Sequence, residues 1–126
     1  MIETIRELAR FLSGDVTVDE VIARIGPVIE DPGFLDQPLV LQSNIEGART
    51  VKLARNPESG LPYVLTLRLD SPLTVAELQQ AFGEYRRGRT HMEAPQEYLF
   101  DVDEVVLSAR GEEDAIDTIA LICSRA

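Results

Sequence analysis

Apolar residues recur at helical spacing over residues 2–12, where Ile2, Ile5, Leu8, Ala9 and Leu12 fall on one face. An amphipathic helix is predicted there, ended by Ser13-Gly14-Asp15. A second helix is predicted from Thr17 to Ile25, with Val18, Val21, Ile22 and Ile25 on its buried side. Pro27, Asp31, Pro32, Gly33 and Pro38 then mark a loop. Beyond it the period changes to two. Strands are predicted over Leu39–Gln42, Arg49–Ala54 and Tyr63–Leu69, the last with Tyr63, Leu65, Leu67 and Leu69 inward. Asn44–Gly47 and Asn56–Gly60 are the turns between them. A third helix over Thr74–Phe82 turns Val75, Leu78 and Phe82 to the core. After a loop through an arginine cluster and Pro95 come strands at Glu97–Phe100, Glu104–Ala109 and Ala115–Cys123.

The pattern contains one motif twice. Val16-Thr17-Val18-Asp19-Glu20-Val21 and Leu73-Thr74-Val75-Ala76-Glu77-Leu78 stand at an offset of 57, and Gly26 and Gly83 keep that offset. In each, Thr followed three places on by Glu is a capping box: the hydroxyl accepts from the third helical N–H and the carboxylate reaches back to the Thr N–H. Val16/Val21 and Leu73/Leu78 occupy the positions of a hydrophobic staple. Gly26 and Gly83 are expected to supply the left-handed residue that stops each helix. A period of this size speaks to architecture. The expectation is a single α+β domain of two tandem helix-plus-three-strand repeats, at about 16–70 and 73–123, preceded by the N-terminal helix. Short connections make the sheet antiparallel, with helices on one face and the other at least partly wet.

Thr17-x-x-x-Val21-x-x-x-Ile25-Gly26-Pro27, and more loosely Thr74-x-x-x-Leu78-x-x-x-Phe82-Gly83, resemble the helix–glycine stretch of BamE/SmpA-like lipoproteins. Tandem copies of a helix-and-meander unit resemble the β-lactamase inhibitor proteins. The resemblance covers two segments of about a dozen residues and the element order. No signal peptide is expected from the opening residues, and the sequence shows no lipobox cysteine and no paired cysteines, a departure from these families. The resemblance implies a sheet that binds a protein without catalytic residues, and it carries over no binding residue.

Composition narrows the function classes. A net charge of −10 opposes binding to nucleic acid, which requires cations to displace counterions, and to anionic membrane surfaces. Cys123 is the single cysteine, which excludes an internal disulfide and fits a reducing, cytoplasmic setting. The charge is uneven: residues 92–126 carry nine acidic and two basic side chains, whereas residues 1–70 carry eleven and seven. Between them lies the cationic stretch Arg86-Arg87-Gly88-Arg89-Thr90-His91. An acidic face either serves solubility alone or complements a basic partner.

Signatures of catalysis are missing: there is no phosphate-cradling glycine loop, no Cys-x-x-Cys, no His-x-x-x-His and no Gly-x-Ser-x-Gly. Asp101-x-Asp103-Glu104 and Glu112-Glu113-Asp114 carry enough oxygen for a hard cation but lack a metal-loop spacing, and they read as solvated turns. No metal and no cofactor is expected, and Cys123 reads as a buried strand residue.

The sequence therefore points to a non-enzymatic acidic protein-binding domain, such as an immunity-type inhibitor that neutralises a toxin. An acidic secretion or assembly chaperone and a small enzyme with a carboxylate/arginine pocket are the alternatives. The candidate contact residues are Asp101, Asp103, Glu104, Glu112, Glu113 and Asp114, together with Arg86, Arg87 and Arg89. The arginines either bind an acidic or phosphate group or pair with carboxylates of the chain itself. The expected partner is another protein of basic character, met as a monomer or homodimer. Tyr98 and Phe100, two apart, must share one strand face, and the core is the expected one.

Overall fold

Both capping boxes form. In the computed structural model, which describes residues 1–34, 36–88 and 96–123, Thr17 Oγ1 accepts from the Glu20 N–H at 3.2 Å and Glu20 Oε1 accepts from the Thr17 N–H at 3.2 Å. Thr74 and Glu77 repeat the exchange at 3.1 and 3.2 Å. The helices they start are α2 (Val18–Ile25) and α3 (Val75–Phe82), and α1 (Ile2–Leu12) precedes them.

The helix stops differ from expectation. Gly26 has φ 147° and ψ 169°, and Gly83 has φ 93° and ψ −155°. Neither is the left-handed helical cap; both are extended positive-φ conformations that glycine alone adopts readily. Each N–H still closes its helix, Gly26 onto Ile22 O and Gly83 onto Gln79 O, both at 2.8 Å. At Gly26 the main chain also runs against β2, so that a Cβ there would lie 1.7 Å from Gln42 O.

The expected pair of helix-plus-three-strand units is overturned. Among the described residues the strands are β1 (Val28–Glu30), β2 (Leu39–Gln42), β3 (Thr50–Arg55), β4 (Pro62–Leu73), β5 (Arg86–Arg87), β6 (Glu97–Val102), β7 (Val105–Glu112) and β8 (Ala115–Cys123). All eight join one antiparallel sheet in the order β1-β2-β3-β4-β8-β7-β6-β5. The two strands that periodicity missed are the edges. They are three and two residues long and sit inside the Pro/Gly-rich and Arg-rich segments that read as loops. Runs so short carry no alternation to detect.

One face of this sheet makes the core. Leu39 and Leu41, Val51 and Leu53, Leu65 and Leu67, Ile119 and Leu121, Leu107 and Ala109, and Tyr98 and Phe100 all point inward and are buried. The helices bury Ile5, Leu8, Ala9 and Leu12 of α1, Val21 and Ile25 of α2, and Val75 and Leu78 of α3 in the same cluster. Tyr63 does not join it. The ladder between β3 and β4 slips between Ala54 and Arg55, which buries Pro62 and leaves Tyr63 41% exposed. A bulge of this kind shifts the side-chain alternation by one residue.

Candidate functional site

The carboxylates that the sequence grouped together lie at two opposite ends of β7. Asp103 and Glu104 form the turn of the β6–β7 hairpin, closed by Val102 opposite Val105, and Asp103 takes φ 52° there. Glu112 stands opposite Ala115, so Glu113 and Asp114 form the turn of the β7–β8 hairpin. The eight residues of β7 put about 25 Å between these turns. The two sets of candidate contact residues therefore stand apart, one at each end of β7. Each turn is also tied down: the Glu104 N–H donates to Ser13 Oγ at 3.0 Å, and Glu113 O accepts from the Val75 N–H at 2.9 Å. Their backbone thus anchors α1 and α3 to the sheet.

The arginines meet partners in the chain. Arg86 Nη2 donates to Asp101 Oδ1 at 2.9 Å, a pair with side chains 60% and 73% exposed. Arg87 Nη1 donates to Gln96 Oε1 at 2.7 Å, and its guanidinium lies 5.7 Å from the centre of the Tyr98 ring. Arg89 and His91 lie outside the described residues. Tyr98 and Phe100 are both buried, with the Tyr85 ring packed against each at 5.2 and 5.9 Å between centroids. They fill the core and offer no aromatic centre to the acidic turns.

The feature missing from that candidate set is the sheet face opposite the helices. Across it, Ala54, Val64, Ile122, Val106 and Asp101 form one row of directly paired residues. Glu30, Val40, Lys52, Thr66, Ala120, Ser108, Leu99 and Arg86 form the next. Gln42, Thr50, Arg68, Thr118, Arg110 and Glu97 form the third. No described helix packs here, yet Val64, Ile122, Val106 and Leu99 are half-buried and Ala120 and Ser108 are fully buried. Directly paired side chains on one sheet face interact across the strands.

Charged groups surround this apolar centre. Glu97 Oε2 accepts from Ser108 Oγ at 2.5 Å and lies 3.4 Å from Arg110 Nε. Gly88 makes room for it, because a Cβ at position 88 would come 2.1 Å from Glu97 Oε1. At the β1 side, Val40 and Lys52 line a recess of about 440 Å³ walled by Glu30, Asp31, Pro32, Gln37 and Pro38. A separate apolar cleft of about 210 Å³, lined by Leu12, Val16, Leu61, Pro62 and Cys123, opens at the end of the sheet. Burial pushes the Cys123 thiol above its ordinary range, as expected for a group whose charged form is desolvated.

Among the described residues no three His, Cys, Asp or Glu side chains converge as metal ligands, and no helix is long and apolar enough to cross a membrane. The alternation of the strands contains the signal for the bare face: Val64, Val106 and Ile122 are apolar at positions whose strand neighbours already point to the core.

No family model matches the chain, and no curated protein matches it. Among solved structures it is similar to a DUF4309 family protein, YjgB, from Bacillus subtilis, at a TM-score of 0.64 and 13% identity. The similarity covers 88% of this chain and 80% of that one. At this identity the likeness is one of fold.

Proposed function

We propose that this chain is a non-enzymatic protein-binding domain that meets its partner through the bare face of the sheet. The observation that carries the reading is the row Val64–Ile122–Val106, apolar and half-buried with no helix above it among the described residues. Antiparallel sheets tolerate a wet face, but such faces are ordinarily polar. An apolar centre inside a charged rim is the anatomy of a protein contact surface. The acidic turns, separated along β7 and engaged in anchoring α1 and α3, are better suited to solubility and steering than to the contact itself.

Stoichiometric inhibition of the immunity type fits this reading, because a preformed sheet binds with little ordering cost. A cytoplasmic site of action agrees with the single reduced cysteine. Such a domain works as a monomer or as a homodimer that leaves the face open. A chaperone role is the second reading. It is favoured by edge strand β1, where Val28, Ile29 and nearby Phe34 are 37%, 60% and 63% exposed. An extended client segment could add there.

A photo-crosslinking residue placed at Val106, and in a separate variant at Glu113, tests the main reading in the native cell. One discrete adduct from position 106 and none from position 113 is the expected result. The reverse pattern contradicts it.

A further inference from the structure

We propose that the cleft at the end of the sheet, lined by Leu12, Val16, Leu61, Pro62 and Cys123, receives one bulky apolar side chain from a partner segment that also carries basic residues. This rests on the protein-binding reading and extends its contact from the bare face around the end of the sheet. The row Ala54–Val64–Ile122–Val106 is the one nearest that end, since β4 begins at Pro62. Leu61 lines the cleft, Tyr63 separates its wall at Pro62 from Val64 on the face, and both Leu61 and Tyr63 are exposed.

Size and charge select the occupant. The cleft of about 210 Å³ is smaller than the roughly 300–1,000 Å³ of a cofactor or drug-sized site, and it suits one group of the size of a benzene ring, which a dry cavity of about 150 Å³ holds. The segments that frame it, residues 13–20, 56–60 and 103–104, carry six acidic side chains and no basic one. The cations at this end are Arg10 and Arg55; counting Arg125, which lies outside the described residues, they number three. Arg86 is matched by Asp101 at 2.9 Å, and Lys52 stands one row further back in the recess it shares with Glu30 and Asp31. The mouth of the cleft is therefore acidic on balance.

Asp15 and Glu104 already have contacts within the chain. Glu58 and Asp103 are exposed and in no ion pair among the described residues, and they are the carboxylates offered to the partner. Their turns, one joining β3 to β4 and the other β6 to β7, are separated by about three strand spacings, or about 14 Å, with the cleft between them at β4 and β8. Extended chain covers about 13 Å in four residues and returns every second side chain to one face. A segment crossing the strand ends can thus seat an apolar residue in the cleft and set a cation two places to either side against Glu58 and Asp103. Burial of the apolar side chain supplies the affinity, and the two charge pairs steer the approach and fix its direction.

The test titrates the full 15N-labelled chain with the capped pentapeptide Lys-Gly-Phe-Gly-Lys, with Lys-Gly-Ala-Gly-Lys and Glu-Gly-Phe-Gly-Glu as twins. The first peptide should shift the backbone amides of Val16, Leu61 and Cys123. Replacing its phenylalanine by alanine, or its lysines by glutamate, should each weaken this binding about tenfold or more. In the chain, Leu61→Ser and the Glu58→Lys/Asp103→Asn double variant should each weaken it as well. All three positions are exposed, and asparagine tolerates the φ of 52° at position 103. Equal affinity for the alanine twin would overturn the apolar anchor, and equal affinity for the glutamate twin would overturn the basic chemistry. Toluene moving these amides at lower concentration than the first peptide would overturn the assignment to a protein segment. Silence toward every probe would overturn the inference, and the crosslink at position 106 would still decide the protein-binding reading on its own.

Discussion

Thr66 stands opposite Ala120 where β4 meets β8, and the registers to either side repeat about that pair. Leu65 faces Leu121 and Leu67 faces Ile119 across the seam. One strand further out, Val51 opposite Leu67 corresponds to Leu107 opposite Leu121. Further still, Leu41 opposite Val51 corresponds to Phe100 opposite Leu107. Both halves of the core therefore converge on the same four seam residues. Leu121→Ala removes one of these fully buried side chains and should cost about 2–5 kcal/mol. Because the seam is shared, calorimetry should record one cooperative unfolding transition for the variant, as for the parent. Two separated transitions would contradict the continuous core.

The caps should behave as equivalents. Thr17→Ala and Thr74→Ala each remove one reciprocal hydrogen-bond exchange at an exposed helix start. Each should lower stability by about 1 kcal/mol in urea titration, with an unchanged denaturant slope.

The two glycines should not. Gly83→Ala meets open space and carries only the strain of its positive φ, on the order of 1–3 kcal/mol. Gly26→Ala carries the same strain and also drives a methyl into Gln42 O, so β2 must shift away from α2. Denaturation should rank Gly26→Ala as clearly the more damaging. Equal losses would contradict the close approach of Gln42.

The sequence signals that succeeded are local and physical. Thr-x-x-Glu before an apolar run specifies a cap wherever it folds, and the strand Leu39–Gln42 was legible residue for residue as a short apolar run bounded by turn residues. Two kinds of feature were not legible. Edge strands as short as Arg86–Arg87 exist only because β6 offers a neighbour, which no local pattern encodes. The spatial division of the candidate acidic residues was hidden for a related reason. Asp101–Glu104 and Glu112–Asp114 are close in sequence, but β7 is extended and carries them to opposite ends of the sheet. Conversely, Lys52 and Arg68 are sixteen residues apart and become diagonal neighbours only through the β3–β4 pairing.

Cys123 gives a pH-dependent readout of the end of the sheet. Its thiol is pushed up by burial, so the native state favours the protonated form. That contribution to stability is complete below the unfolded thiol's pKa and is lost as pH climbs through the higher folded value. Stability should therefore fall on the alkaline side of the ordinary thiol range, and Cys123→Val should flatten that part of the profile. Modification by a disulfide reagent at mildly alkaline pH should be slower in the native chain than in the denatured one. Equal rates would show that the thiol is open to solvent.

The bare sheet face is where the proposed partner sits. Methyl cross-saturation from an unlabelled partner to the methyl-labelled chain measures this directly, once crosslinking has supplied the partner. The Val64, Val106 and Ile122 methyl signals should lose intensity, while Val21 and Ile25 on the buried side of α2 keep theirs. Attenuation confined to Ala115 and its neighbours at the Glu112–Asp114 turn, with the three bare-face residues unchanged, would contradict it.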